Sequence, residues 1–120
     1  MAALVTNQGE EQVVDSMVAD STWSHIGWGT SATAEAETQT DLVTAAAEAR
    51  VAATISKTGT GDTAAYRAVG TITSASGQTI QEVGLFASAT TANLGVRAVH
   101  SATALLAGEG IAYTIDVNPE

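Results

Sequence analysis

The ten residues Thr79–Ser88, with the sequence TIQEVGLFAS, decide the fold class of this chain. Successive side chains along a β-strand point to opposite faces of the sheet. Val83 and Leu85 then share one face, whereas Ile80 and Phe86 share the other. A strand that is apolar on both faces is typical of the centre of a sheet that is covered on both sides. The stretch therefore predicts a central strand between two layers.

Strand patterns continue on both sides of this stretch. Each of the other runs is rich in β-branched residues and bounded by Gly, Ser, Thr, Asn or Asp; they are ARVAATIS (49–56), AAYRAVGTITS (64–74), LGVRAVHS (94–101) and GIAYTIDVN (110–118). Period two is clearest in the last run, where the residues that face one way are Ile111, Tyr113, Ile115 and Val117. Short strands separated by turn residues indicate an antiparallel arrangement. We predict a mainly β, single-domain antiparallel β-sandwich, jelly-roll-like or closed as a small barrel.

The N-terminal segment has a different pattern. Asn7 is predicted to cap a short helix, with Glu10 three residues later completing a capping box. An apolar stripe follows, formed by Val13, Val14, Met17 and Val18. We therefore divide the chain into an N-terminal arm or short helix over residues 1–21 and a β-sandwich domain over 22–120. A long connection is expected around residues 30–47.

Both tryptophans lie in the stretch WSHIGWG, residues 23–29. Strand alternation across this stretch puts Trp23 and His25 on one face and Ile26 and Trp28 on the other. We predict that one indole fills the core beside Ile26 and that the other covers the second face of the sheet.

Composition narrows the classes of function. Alanine supplies 24 of the 120 residues, aromatic residues are only 4%, and cysteine is absent. Disulfides and thiolate metal sites are therefore excluded. Four basic residues against thirteen acidic ones leave a net charge of −9, which argues against nucleic-acid binding because that binding needs Lys and Arg to neutralise phosphates. No apolar run is long enough to span a membrane and the N-terminus lacks the basic flank of a signal peptide, so we expect no membrane partner.

The chain shows no catalytic constellation. Its two histidines are too few for a three-His zinc site, and no nucleophile elbow or phosphate-binding loop is present. The acidic residues of the connection lie in an Ala- and Thr-rich setting where nothing is expected to desolvate them; they are Glu35, Glu37, Asp41 and Glu48. We expect a solvated acidic loop, no enzymatic activity, no metal and no cofactor.

Charged residues inside strand-like runs are more informative. The three arginines Arg50, Arg67 and Arg97 all lie in such runs, and so does Glu82. A guanidinium matches a carboxylate well. We therefore predict that at least one arginine pairs with Glu82 or Glu48.

Several segments together resemble one group of proteins. They are VTNQGEEQVVD (5–15), HIGWGTSATAEAETQTDLVTAAAEARV (25–51), YRAVGTIT (66–73), TIQEVGLFAS (79–88), RAVHS (97–101) and GEGIAYTIDV (108–117). As a set they resemble small structural proteins of tailed bacteriophages, over nearly the whole chain. Similar patterns occur in small head proteins and in the leading domains of tail-collar fibre proteins.

The resemblance implies a virion component. Within the group, a small, acidic, cysteine-free β protein without coiled-coil repeats fits a capsid decoration (cement) protein. Such a protein is made in the host cytoplasm and then binds, as a homotrimer, to the major capsid protein on the outer surface of the mature head. There it stabilises the lattice against the pressure of packaged DNA. Contacts with the capsid or between subunits are expected at Val13, Val14, Met17, Trp23, His25, Trp28, Arg50 and Arg97.

Two other interpretations remain open at this stage. A tail, baseplate or tail-fibre attachment protein would have the same β architecture. A small hydrolase or carbohydrate-binding module belongs to a different class, and its sugar-stacking candidates are Trp23, Trp28, Tyr66 and Tyr113.

Overall fold

The computed structural model describes residues 2–91 and 93–118, which form one α-helix, one 3₁₀ turn and seven strands. The elements in chain order are α1 (Asn7–Asp20), β1 (His25–Gly29), β2 (Val51–Ala52), β3 (Thr54–Thr58), the 3₁₀ turn (Gly61–Thr63), β4 (Ala65–Thr73), β5 (Gln78–Phe86), β6 (Leu94–Leu105) and β7 (Gly110–Val117). Strands dominate, and the single helix is N-terminal, as predicted.

The strands form two antiparallel sheets. One has four strands in the order β2-β1-β5-β6, and the other has three in the order β3-β4-β7. The mainly β, single-domain sandwich is thus confirmed. The run ARVAATIS, predicted as one strand, is two: its Val51–Ala52 part pairs with β1, and its Thr54–Thr58 part pairs with β4. The chain therefore crosses from one sheet to the other at Ala53.

The core lies between the two sheets. It is formed by Ile26, Trp28, Tyr66, Ala68, Ile72, Ile80, Val83, Leu85, Leu105 and Tyr113. The predicted inward face of β7 is confirmed, since Ile111, Ile115 and Val117 pack against this cluster beside Tyr113.

The prediction that Ile80 shares a face of β5 with Phe86 is wrong. Ile80 lies in the same core as Val83 and Leu85 rather than on the face of Phe86. The pairing of β5 with β6 shifts register between Ile80 and Glu82. Such an irregularity breaks the period of two, so Ile80 turns inward.

Helix α1 begins as the sequence indicates but has a different cap. The cap is Thr6, whose hydroxyl accepts a hydrogen bond from the backbone N–H of Gly9 at 3.1 Å. Asn7 is the first helical residue, so the predicted capping box of Asn7 and Glu10 is wrong. Val14 is buried, and Met17 packs against the core of the sandwich.

The two tryptophans lie on the same side, contrary to the prediction of opposite faces. β1 begins at His25, so the strand alternation does not reach back to Trp23. Trp23 packs edge-on against Tyr66 of the core, with ring centroids 5.4 Å apart. The Tyr66 hydroxyl donates to the carbonyl of Trp23 at 2.8 Å and accepts from its N–H at 3.0 Å. Trp28 fills the core beside Ile26, as predicted.

Candidate functional site

The connection between β1 and β2 is tied to the sheet by several part-buried hydrogen bonds. Residues 30–50, called here the anchored connection, lack regular strands or helices apart from one bridge between Ala45 and Gly29. They pack on the face of the four-stranded sheet that points away from the core. Glycine makes this close approach possible, because a Cβ atom at Gly29 would overlap the carbonyl oxygen of Thr44 and a Cβ at Gly84 would lie 3.1 Å from Leu42.

Glu82 of β5 is the main anchor. Its side chain is fully buried, and its carboxylate accepts hydrogen bonds from the backbone N–H groups of Val43 at 3.0 Å, Thr44 at 2.8 Å and Ser31 at 3.2 Å. Ser31 lies at the start of the anchored connection, and Val43 and Thr44 lie in its second half. One carboxylate therefore holds two distant parts of the loop to the sheet.

Arg97 of β6 completes this anchor. Its Nε donates to Glu82 at 2.9 Å, and its Nη1 donates to the carbonyl of Thr33 at 2.8 Å. Only 2% of the Arg97 side chain is exposed. The prediction that an arginine pairs with Glu82 or Glu48 is confirmed. Within the described residues, the buried Nη2 of Arg97 has no hydrogen-bond partner, so the guanidinium is not fully satisfied.

Electrostatics keep Glu82 ionised in this setting. Burial by itself raises the pKa of a carboxyl group, but the hydrogen bonds from Thr44, Arg97, Val43 and Ser31 outweigh it and leave the pKa of Glu82 below its ordinary value. The anchor is thus a buried ion pair in its charged form.

Glu48 is a second anchor, although the sequence predicted it only as a solvated acid or as a partner for an arginine. Its Oε1 accepts from the indole N–H of Trp28 at 2.9 Å and from the amide of Gln78 at 2.8 Å, and its Oε2 accepts from the N–H of Ala75 at 3.0 Å. The bond from Ala75 is the main cause that lowers the pKa of Glu48 to about 2; burial opposes the shift, and Gln78 and Trp28 add to it. The expectation of a solvated Glu48 is wrong, whereas Glu35, Glu37 and Asp41 are exposed as predicted.

We predict that Glu48 contributes a pH-dependent part of the stability. Its pKa falls from an ordinary 4.5 in the unfolded chain to about 2 in the folded one, so its contribution is present above pH 4.5 and disappears as the pH falls towards 2. Urea unfolding at a series of pH values measures this. The free energy of unfolding of Glu48→Gln should fall less steeply over that interval than that of the wild type. Equal slopes would contradict the assignment.

Arg50 holds the end of the anchored connection. Its guanidinium carbon lies 3.5 Å from the centre of the Phe86 ring, a cation–π contact. Its Nη1 donates to the carbonyls of Ser88 at 3.0 Å and Thr91 at 2.6 Å, and its Nη2 lies 3.9 Å from Asp41. Arg50 thus joins the connection to the loop after β5.

The predicted contact residues fall into two groups. Val14, Trp28 and Arg97 are buried within the chain, so their prediction as contact residues is corrected: they support the fold from inside. Partly or well exposed are Val13, Met17, Trp23, His25 and Arg50. These five are not gathered on one element, because Val13 and Met17 belong to α1 whereas Arg50 ends the anchored connection.

The contacts of Glu82, Glu48 and Arg50 hold the anchored connection in a defined position on the surface. In the described part of the chain, no group of three His, Cys, Asp or Glu side chains is placed to hold a metal ion. None of the described helices is long and apolar enough to span a bilayer. The buried carboxylate of Glu82 is occupied by backbone N–H groups and by Arg97.

The chain was compared with models of protein families, with curated protein sequences and with solved structures, and no match was found in any of the three.

Proposed function

We propose that the protein is a capsid decoration (cement) protein of a tailed bacteriophage. Its partner in this proposal is the major capsid protein in the mature head lattice, and it acts from the outer surface of the virion. The proposal rests on the resemblance of the segments between residues 5 and 117, together with one structural observation. That observation is the exposed apolar arm that precedes α1.

The arm consists of residues 2–6, and two of its side chains are unusually exposed. Leu4 is 95% exposed and Val5 is 65% exposed. Exposed apolar side chains stabilise a complex when a partner removes them from water. The observation supports a partner that receives the arm, and in this proposal the partner is the shell protein.

The origin of the arm is rigid. Helix α1 is fixed to the sandwich by the buried Val14. The ammonium group of Lys57 in β3 lies 2.8 Å from Glu11 and 2.9 Å from Asp15 on the helix. A short segment that starts from a fixed point loses less conformational entropy on binding than a free one. The arm would therefore attach to the shell at a defined position beside the domain.

Stabilisation of the shell then follows from mass action. A protein that binds only the mature lattice favours that lattice by RT ln(1 + [L]/Kd) for each site. The anchored connection suits this role, because a loop held by a buried ion pair and by hydrogen bonds to Glu48 resists a change of shape when it meets a neighbour. A homotrimer remains part of the proposal, as the resemblance implies.

Immunogold labelling tests the location. Antibodies raised against the purified protein are applied to phage particles whose genome encodes the chain. We expect label over the whole head surface, in many copies per particle. Label confined to the tail would favour the attachment-protein alternative instead, and particles without label would refute a virion role.

A variant of the arm tests whether its exposed apolar side chains bind the shell. Leu4→Ser with Val5→Ser should reduce the amount of protein on the heads while leaving the thermal midpoint of the purified domain unchanged, because both side chains are exposed. Ala2→Ser with Ala3→Ser is the matched control. Full incorporation of the Leu4 and Val5 variant would show that the arm does not bind the shell. A deletion through residue 20 is less informative, because it also removes the buried Val14.

A further inference from the structure

A groove separates the exposed turn of the anchored connection from the start of β6. Two hydrogen bonds tie the turn to that strand: the backbone N–H of Leu94 donates to the carbonyl of Thr40 at 3.4 Å, and Nη1 of Arg97 donates to the carbonyl of Thr33 at 2.8 Å. Between these ties, residues 34–38 are exposed. The groove has a volume of about 390 Å³ and is lined by residues 35–37, 39 and 94–97. The turn and the strand thus form the two walls of an open cleft.

The wall formed by the turn is acidic. Glu35 and Glu37 both line the groove and are exposed. Within the described part of the chain, neither carboxylate lies in a salt bridge. The basic residue of the groove, Arg97, is already paired with Glu82. Two carboxylates without a counterion, in a chain with a net charge of −9, attract a cationic partner to this place.

The opposite wall is apolar. Leu94 and Val96 of β6 line it and are partly buried. Lys and Arg side chains combine an apolar stem with a charged end, so they suit a place where an apolar surface lies next to a carboxylate. A small inorganic cation has no apolar part to cover such a wall. The two walls together therefore fit the side chains of a basic polypeptide segment.

Arg97 supplies a second, independent observation. Its side chain belongs to the groove wall and is only 2% exposed. Nε is bonded to Glu82, and Nη1 donates to Thr33 and, at 3.3 Å, to the side-chain oxygen of Gln39. Nη2 is buried and has no hydrogen-bond partner among the described residues. A buried N–H without an acceptor destabilises the free chain, so an acceptor that a bound partner brings would relieve this cost.

We propose that the groove binds an extended basic segment of another protein. The cationic groups of the segment pair with Glu35 and Glu37, their stems cover the apolar wall, and a main-chain carbonyl accepts a hydrogen bond from Nη2 of Arg97. Because Nη2 is covered in the free chain, the turn at Gln39 has to shift for this last bond to form. The bond of 3.3 Å between Gln39 and Arg97 is the contact that gives way.

Fluorescence anisotropy with a labelled peptide of alternating Lys and Ala tests the acidic wall. At low ionic strength, where surface charges are little screened, the peptide should bind the wild type, and Glu35→Gln with Glu37→Gln should weaken binding roughly tenfold through the loss of two surface ion pairs. Asp20→Asn with Asp62→Asn removes two exposed acids from other elements and is the matched control. Each pair changes the net charge from −9 to −7, since −9 + 2 = −7. The control should therefore weaken binding much less.

A nuclear magnetic resonance titration of the ¹⁵N-labelled wild type locates the peptide. Shifts should concentrate in residues 33–39 and 94–97 and include the side-chain amide of Gln39, because that amide moves away from Arg97. Equal weakening by the two pairs of substitutions would overturn the proposal, since net charge alone would then hold the peptide. So would shifts confined to other elements, or equal binding of a peptide in which Ser replaces every Lys.

This inference does not rest on the proposed function. It concerns the purified chain and a synthetic peptide, whereas the labelling of particles concerns the place of the protein in a virion. Failure of the peptide to bind would leave the result of the labelling unaffected, and absence of label on particles would leave the peptide result unaffected.

Discussion

Glu82→Ala is expected to lower the free energy of unfolding by about 3–5 kcal/mol, the usual cost of removing one partner of a buried ion pair. The change leaves the guanidinium of Arg97 buried without its carboxylate and removes the acceptor for three backbone N–H groups of the anchored connection. Domains of this kind have total stabilities of about 5–15 kcal/mol. The variant should therefore be marginally folded. Urea unfolding, followed by tryptophan fluorescence, measures the loss.

Two further variants distinguish the loss of the ion pair from the general effect of removing a carboxylate. Glu37→Ala removes an exposed carboxylate from the anchored connection and should leave the stability almost unchanged. Glu82→Gln retains the shape of the side chain, but an amide cannot match all of its donor neighbours, so a substantial loss should persist. If Glu82→Ala costs no more than Glu37→Ala, the carboxylate does not hold the connection.

Gly29→Ala should be the second most damaging of the substitutions considered, with a loss of about 1–3 kcal/mol, as is usual for overpacking. The new Cβ would overlap the carbonyl oxygen of Thr44 and lie 2.5 Å from the carboxylate of Glu82. Neither neighbour can move freely, because the first is backbone and the second is fixed by its hydrogen bonds. Residues 42–46 must therefore shift away from the sheet, and the change is measurable by urea unfolding and by faster hydrogen exchange at Val43 and Thr44.

Gly77→Ala is the matched control for that prediction. The nearest atom to a Cβ at Gly77 is the carbonyl oxygen of Leu105 at 3.8 Å, which is an ordinary contact. The substitution should be nearly neutral in urea unfolding. A loss at Gly77 equal to that at Gly29 would show that the effect is generic to replacing glycine and does not come from the packed connection.

These two sites connect the fold to the proposed function. Glu82 and Gly29 allow the anchored connection, twenty-one residues without a regular helix or strand, to pack against the sheet at Ser31, Val43 and Thr44. A surface protein of a phage head benefits from such a loop, because contacts made by a fixed loop cost little ordering entropy. Variants that loosen the connection but leave the sandwich folded would therefore weaken attachment to the shell in the proposed role.

Strand positions were predictable because their signal is local. The alternation of Ile111, Tyr113 and Ile115 on β7 is visible in the sequence and reappears as the inward face of that strand. The same rule failed at Ile80, where a register shift intervenes, and at Trp23, which precedes its strand. At Ile80 the strand alternation is interrupted, and at Trp23 it has not yet begun. A period of two therefore does not assign either side chain to a face.

The candidate site was predictable only in part. The charge of Glu82 within an apolar strand marked it as a partner for an arginine, and Arg97 is that partner. The sequence marked Glu48 only as a solvated acid or a possible partner for an arginine, yet its carboxylate receives the indole N–H of Trp28 and the backbone N–H of Ala75, whereas Glu35 and Glu37 remain exposed. The difference depends on where the chain passes after β4, which the pattern around residue 48 does not encode.

The sequence by itself determined the mainly β class, the N-terminal helix and most of the strands, because alternation and turn residues act over a few neighbouring positions. Only the tertiary structure decided which residues form the surface. Ser31, Val43 and Thr44 meet Glu82 across separations of 38 to 51 residues. Such contacts depend on how two layers pack, and no local pattern carries that information.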